Sequence, residues 1–403
     1  MKILWNSSVI FGNSGYGVAS REIIKRLQAD GHEVALATKH QFFGRLQWEG
    51  IEIYEGINSK YIANVLEREK FDYLISFWDI WLMSGRRHFP HDKWVAYCPI
   101  DTEWIADRYR DVLLGKDSDI PSNKGPSVVI AMSKHGVREL RSIGLDPLYV
   151  PLGVNTEMFK PDKEARAGFR KSFGWADDVF VIGSVGLNYK DDRKGFIELM
   201  IAFNELRKKH SDVRLYLHTH AEGIRDNSLN YANIMNLVDE ALDEYILFGP
   251  QEAIDLNTIS QERLNIIYNT FDVMCLPTKG EGFGMPIIES AAAGVPVITT
   301  ATTTGPEFHE AGMAPWLIDV DHIDNKEWMP TGTWRLRARP RAILETLEKA
   351  YNAWKFEDYR VIKEGIRKAS LAYDWELVWS KYWRSIFNIL QENKSDLKES
   401  PHV

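Results

Sequence analysis

The sequence predicts an α/β protein built as two successive halves, each a parallel sheet with helices between its strands. Short apolar runs alternate with stretches of helical periodicity in both halves, the pattern that produces parallel sheets. The first half also opens as strand, glycine-rich turn, helix, strand, which is a βαβ unit. A length of 403 residues favours two domains, at roughly 150 residues or more per domain.

In chain order, residues 3–5 read as the first strand. Phe11-Gly12-Asn13-Ser14-Gly15-Tyr16-Gly17 reads as a glycine-rich loop. An amphipathic helix follows, with Val18, Ile23, Ile24 and Leu27 on its apolar face and Gly31 at its end. The glycines miss the G-x-G-x-x-G spacing of dinucleotide sites, and instead suit a loop that lets backbone approach a ligand. Further strands are expected at 32–37, 73–77, 94–98, 128–132 and 148–150, with a helix at 134–143 capped by Ser133.

A polar linker is expected at 151–178. The second half then reads strand 179–185, a charged loop 186–195, helix 196–208 and strands at 213–218, 245–248 and 273–276. The last third is expected to be helical, over 342–354 and 375–390, with a frayed tail at 391–403.

The most informative stretch is Lys279-Gly280-Glu281-Gly282-Phe283-Gly284-Met285-Pro286-Ile287-Ile288-Glu289. It leaves a buried strand and enters a helix near Pro286, where a missing N–H costs nothing. Glu281 therefore lies in a glycine-rich loop, and Glu289 lies about one turn inside the helix. Backbone N–H groups between them point out of a positive helix end, which suits an anionic ligand.

Bulk properties narrow the class. Hydrophobic content of 44% and charged content of 26% are ordinary for a globular protein, and a net charge of -8 argues against non-specific nucleic-acid binding. The 14 tryptophans read mainly as core, with stacking platforms as the alternative. Cys98 and Cys275 fall in separate halves and imply no disulfide framework, so a reducing, cytoplasmic setting is expected. No stretch reads as a signal peptide or a membrane span, and peripheral membrane contact stays open.

Glu281-Gly282-Phe283-Gly284 with Glu289 resembles the E-x7-E signature of retaining family 4 glycosyltransferases (glycosyl transferases group 1) with the GT-B fold. The Gly15 loop resembles that family's phosphate-facing loop. Ser133-Lys134 and the run from Pro151 to Phe159 resemble its interdomain stretch. Arg193-Lys194-Gly195 resembles its diphosphate clamp. The resemblance covers the chain up to the C-terminal helices.

It implies two Rossmann-like domains facing across a cleft. These are an acceptor-side domain 1–150, the linker 151–178, a nucleotide-sugar domain 179–372, and a helix 373–390 crossing back to the first domain. The implied activity is metal-independent transfer of a hexose, with retention, from a UDP- or GDP-sugar substrate, with no cofactor. The acceptor stays open among saccharide, lipid-linked, protein and small-molecule classes.

The resemblance also implies residue roles. Glu289 would hold the ribose hydroxyls, which a carboxylate accepts well. Glu281 would lie beside the donor sugar, with the N–H groups of Gly282, Phe283 and Gly284 and the adjoining Met285. Arg193 and Lys194 would meet the diphosphate, each charge-assisted bond contributing on the order of 1.5–3 kcal/mol. Gly15 and Tyr16 would approach it from the first domain. Thr304, in Thr302-Thr303-Thr304-Gly305-Pro306-Glu307, would face the donor, and Gly249-Pro250 would form the base edge.

The sequence departs from the family twice. Leu187 stands where many members have arginine, with Lys190 or Arg193 as substitutes. No histidine follows the fourth strand, where Asp101 is the nearest polar candidate and His91 lies several residues early. A solvated helix start for Arg193-Lys194, a turn or cap for Asp101 and an ordinary turn with a capping threonine for 302–307 are the plain structural alternatives.

Two D-x-D triplets, Asp117-Ser118-Asp119 and Asp319-Val320-Asp321, read as solvated acids or caps, so no metal site is expected. Phe42-Phe43-Gly44-Arg45-Leu46-Gln47-Trp48 and Trp78-Asp79-Ile80-Trp81 are aromatic candidates for an acceptor sugar or for packing. A sugar-nucleotide epimerase and a non-catalytic sugar-nucleotide-binding module are the competing functions.

Overall fold

A computed structural model describes residues 1–38, 46–56, 58–79, 81–82, 88–116, 124–223, 228–255, 258–321 and 326–399. Two compact units emerge. The first comprises Met1–Gly153, Pro330–Thr333 and Trp375–Val403, and the second Val154–Met329 and Trp334–Asp374.

The first unit is built on an eight-stranded sheet. Its strands are β1 (Lys2–Ser7), β2 (Glu33–Thr38), β3 (Leu46–Trp48), β4 (Ile51–Glu55), β5 (Tyr73–Phe77), β6 (Trp94–Cys98), β7 (Val128–Ala131) and β8 (Leu148–Tyr149). Their spatial order is β3-β4-β2-β1-β5-β6-β7-β8, parallel throughout except between β3 and β4. Its helices are α1 (Gly15–Ala29), α2 (Ser59–Arg68), α3 (Asp107–Leu113) and α4 (Lys134–Ser142). Sequence reading missed β3, β4, α2 and α3. β4 alternates isoleucine with glutamate and tyrosine at the sheet's edge side, so it lacks the unbroken apolar run of the central strands.

The second unit repeats the design with β9 (Phe180–Val185), β10 (Val213–His218), β11 (Ile246–Phe248), β12 (Val273–Leu276), β13 (Val297–Thr300) and β14 (Trp316–Ile318). All pairs are parallel, in the order β11-β10-β9-β12-β13-β14. Its helices are α5 (Lys163–Ser172), α6 (Phe196–Lys209), α7 (Tyr231–Val238), α8 (Gln251–Asp255), α9 (Gln261–Thr270), α10 (Met285–Ala292), α11 (Gly305–Glu310), α12 (Pro340–Phe356) and α13 (Tyr359–Ser370). An antiparallel hairpin, β15 (Lys326–Trp328) and β16 (Trp334–Leu336), precedes α12. Sheet residues such as Ile182, Leu215 and Val273 pack with Phe196, Phe203, Ile343 and Leu347 of α6 and α12 into one core.

The expected linker at 151–178 is instead structured. It belongs to the second unit from Val154 and contains α5. Asp272 holds that helix down. Its carboxylate takes Arg166 Nη2 at 2.6 Å and Arg170 Nη2, and also accepts the Val181 N–H at 2.8 Å. Two of the charged residues that suggest a linker in sequence, Arg166 and Arg170, are therefore turned inward onto one buried acid.

After Asp374 the chain returns to the first unit as α14 (Trp375–Val378), a π-helical turn at Trp379–Trp383 and α15 (Arg384–Glu399). Trp383 is fully buried beside Trp5 and Tyr97, and Tyr73 donates its hydroxyl to the Leu390 carbonyl at 2.7 Å. The helix runs through most of the tail expected to fray from 391.

Candidate active site

In a doubly wound sheet, ligands bind beyond the carboxyl ends of the strands where the order reverses. In the second unit that reversal lies between β9 and β12, neighbours in space but far apart in sequence. The loops leaving these two strands are 186–195 and 277–284, which carry the clamp and the glycine-rich stretch.

The β9 loop ends at Gly195, which caps α6 at φ 71°. A Cβ there would lie 2.2 Å from the Pro277 carbonyl oxygen, so only glycine lets the two loops approach this closely. Asp192 fastens the turn by accepting the Phe196 and Ile197 N–H groups and the Tyr231 hydroxyl. Arg193 and Lys194 are thereby aimed across at the β12 loop.

Lys194 Nζ lies 2.7 Å from Glu281 Oε1, and both side chains are buried. Arg193 Nη1 donates to the Gly280 carbonyl at 2.7 Å and lies 3.5 Å from Glu281 Oε1. Thr278 Oγ1 donates to the same oxygen at 2.8 Å, while the Glu281 N–H donates to Thr303 Oγ1 at 3.1 Å. Burial pushes the Glu281 carboxyl up, but the charges of Lys194 and Arg193, with hydrogen bonds from Lys194 and Thr278, hold it down to about 2. The solvated-helix-start alternative for Arg193 and Lys194 is therefore excluded.

Gly284 caps α10 at φ 101°, a conformation glycine adopts readily. The N–H groups of Gly282, Phe283, Gly284 and Met285 find no hydrogen-bond acceptor among the described residues. They form a nest of donors at the helix start, as expected from the sequence. The Phe283 ring packs edge-on against Phe308 at 5.4 Å, which fixes the loop.

Glu289 is buried on α10 and accepts the Tyr268 hydroxyl at 2.8 Å. Burial pushes its carboxyl up to about 7, against the lowering effects of Tyr268 and Lys194. Two carboxylates eight positions apart thus differ widely in acidity, because only one has a cation in contact.

Thr304 is fully buried at the N-cap position of α11, and its hydroxyl has no partner among the described residues. Gly249 and the exposed Pro250 follow β11, where the Gly249 N–H donates to the Leu217 carbonyl. Beside them, the buried Tyr216 hydroxyl, His218 Nδ1 and Thr219 hydroxyl have no partners among the described residues. Burial pushes the His218 imidazole down to about 4, so it is neutral.

Gly15 and Tyr16 belong to the first turn of α1, not to a loop as expected. Ser14 is the N-cap, its hydroxyl accepting the Gly17 N–H at 3.1 Å. Tyr16 donates to Asp79 Oδ1 at 2.6 Å and its ring lies against Phe77 and Trp78. Trp78 is buried and bonds Asn6, so it is a packing residue rather than a sugar platform. Asp101 is buried just beyond β6 in the first unit. His91 binds the Gly125 carbonyl at 2.9 Å, and Lys190 and Leu187 are exposed. Asp321 pairs with Arg339 at 3.5 Å. Residues 42–45, Ile80 and the triplet 117–119 lie outside the described residues.

Sequence reasoning missed Thr278, Tyr268 and Asp192. Each contributes by tertiary contact, and only Asp192, next to the clamp, offered a local signal.

Residues 179–327 match the family described as Glycosyl transferases group 1. A GDP-mannose-dependent alpha-(1-6)-phosphatidylinositol monomannoside mannosyltransferase of Mycolicibacterium smegmatis is 27% identical over 231 residues, 55% of this chain and 55% of its own length. The chain spans about half the length of the first curated relatives it matches. Sucrose-phosphate synthase from Thermosynechococcus elongatus superposes with a TM-score of 0.69 at 17% identity, over 96% of this chain and 100% of that one. HepE of Anabaena, solved in complex with UDP-glucose, gives 0.64 at 16% identity, over 96% and 100%. Residues 179–327 are thus similar to the group 1 glycosyl transferases, and the fold of the chain is GT-B.

Proposed function

We propose that the chain is a retaining glycosyltransferase that moves a hexose from a nucleoside-diphosphate sugar to a saccharide or lipid-linked acceptor. The observation that carries this reading is the buried Lys194–Glu281 pair beside four unpaired N–H groups at the start of α10. A leaving diphosphate needs cations and N–H donors where its charge accumulates, and the site offers both. Arg193 and Lys194 neutralise the diphosphate, and the nest of Gly282 to Met285 binds phosphate or sugar oxygens. Glu289 accepts the ribose hydroxyls. Glu281 holds the clamp in place and accepts a sugar hydroxyl through Oε2, which has no partner among the described residues.

The unpaired groups of Tyr216, His218 and Thr219 near Pro250 suit a polar base edge. Thr304 is a further donor-side contact. The acceptor reacts on the donor's front face, its proton passing to the leaving phosphate, and no metal is required.

The test begins with thermal shifts of the full chain over UDP- and GDP-sugars, since ligand at 100 times its dissociation constant adds about 2.7 kcal/mol of stability. The stabilising donor is then assayed for acceptor-dependent nucleotide release. Glu281→Ala and Lys194→Ala should each lower transfer by at least about 100-fold. Full activity in both removes the site assignment, and an epimerised donor without acceptor removes the transferase reading.

A further inference from the structure

A second cluster of chemically competent side chains lies in the first unit, apart from every group assigned above except Asp101, its near neighbour in sequence. His135 and Glu139 are spaced i and i+4 on α4, so they share one face of the helix. Glu103 reaches the same point from the turn that follows β6. One ligand atom from each of the three residues lies within 4.8 Å of the other two. Three atoms so placed surround a point at most about 2.8 Å from each, and modest side-chain rotation brings that to the ~2.0–2.2 Å of a metal bond.

The imidazole is prepared for this role. His135 is only 2% exposed, and its Nε2 lies 2.9 Å from the Thr102 carbonyl oxygen. A carbonyl can only accept, so the ring proton resides on Nε2 and Nδ1 carries the lone pair. Nδ1 has no partner among the described residues. This is the outer-sphere bond that orients metal-binding histidines. Glu139 is positioned likewise, its Oε2 accepting the Trp104 N–H at 3.0 Å, and it forms no ion pair with lysine or arginine among the described residues.

We propose that Glu103, His135 and Glu139 form a divalent transition-metal site, with water completing the coordination. One imidazole and two carboxylates suit Zn²⁺ and, more weakly, Mn²⁺. The ion ties the turn at 101–104 to α4 and so positions Asp101, without touching the donor chemistry in the second unit.

The test is isothermal titration of chelator-treated full-length protein with ZnCl₂ and, separately, MnCl₂, in the absence of any sugar nucleotide. One equivalent should bind, zinc more tightly than manganese. Glu103→Gln, His135→Gln and Glu139→Gln should each weaken zinc at least tenfold while circular dichroism stays native. Cobalt(II) gives a second readout, visible d–d absorption that His135→Gln should alter. His32→Ala controls for the amino-terminal pair, where Met1 N lies 3.3 Å from His32 Nδ1, and should change nothing. Absence of zinc binding at millimolar concentration overturns the proposal, as does affinity unchanged by both glutamate substitutions. Neither outcome bears on glycosyl transfer, which is read separately by nucleotide release.

Discussion

Replacing Glu289 with glutamine should stabilise the ligand-free protein, and by an amount that grows with pH. The Glu289 carboxyl is raised from 4.5 to about 7 by burial. A group whose pKa is higher in the folded state binds its proton more tightly there than in the unfolded chain. Folding therefore loses stability as pH climbs through the window from about 4.5 to about 7, and the loss is complete above it. At about 1.4 kcal/mol per unit, the full penalty is about 3 kcal/mol. Glutamine keeps an acceptor for the Tyr268 hydroxyl and removes the charge. The new amide N–H₂ returns about 1 kcal/mol of cost, leaving a net gain of about 2 kcal/mol at pH 8 and none, or a slight loss, near pH 4.5. Urea melts of wild type and Glu289→Gln at pH 5 and pH 8, followed by tryptophan fluorescence, read this directly. The same substitution should weaken sugar-nucleotide binding roughly tenfold or more, through loss of charge-assisted bonds to the ribose. A stability difference that does not change with pH would refute the reasoning.

Two other substitutions probe the frame of the site. Asp272→Asn leaves the Arg166 and Arg170 guanidinium groups without their carboxylate, and should cost about 3–5 kcal/mol in denaturant melts. A loss under about 1 kcal/mol would show that the pair does not anchor α5. Thr304→Val removes a buried hydroxyl that has no partner, so the ligand-free protein should gain about 1 kcal/mol or stay neutral. Donor affinity should fall in the same variant, and a variant that loses stability while binding donor normally would contradict the proposed role.

Most strands of both sheets are legible in the sequence because central parallel strands are buried on both faces. Residues 94–98 and 273–276 read as unbroken apolar runs for that reason. The elements that escaped notice are those whose burial is partial or whose stability comes from elsewhere. β4 alternates apolar and polar residues. α5 is highly charged, and its arginines are held by Asp272, about a hundred positions further on. The first turn of α1 was read as loop because three glycines masked the Ser14 cap.

The sequence by itself determined the class of site. Glycines at 282 and 284, a proline at 286 and carboxylates at 281 and 289 dictate a strand, a donor-rich turn and a helix, since these are local consequences of backbone freedom and helix-start chemistry. Only the tertiary structure decided the electrostatics. Lys194 lies 87 positions before Glu281, and the β9–β12 pairing brings its ammonium to 2.7 Å, where it holds that carboxylate ionised. Glu289 meets a neutral tyrosine instead and is held up near 7. The two glutamates look alike in sequence because charge state is set by burial and by partners in space, and neither is a local property of the chain.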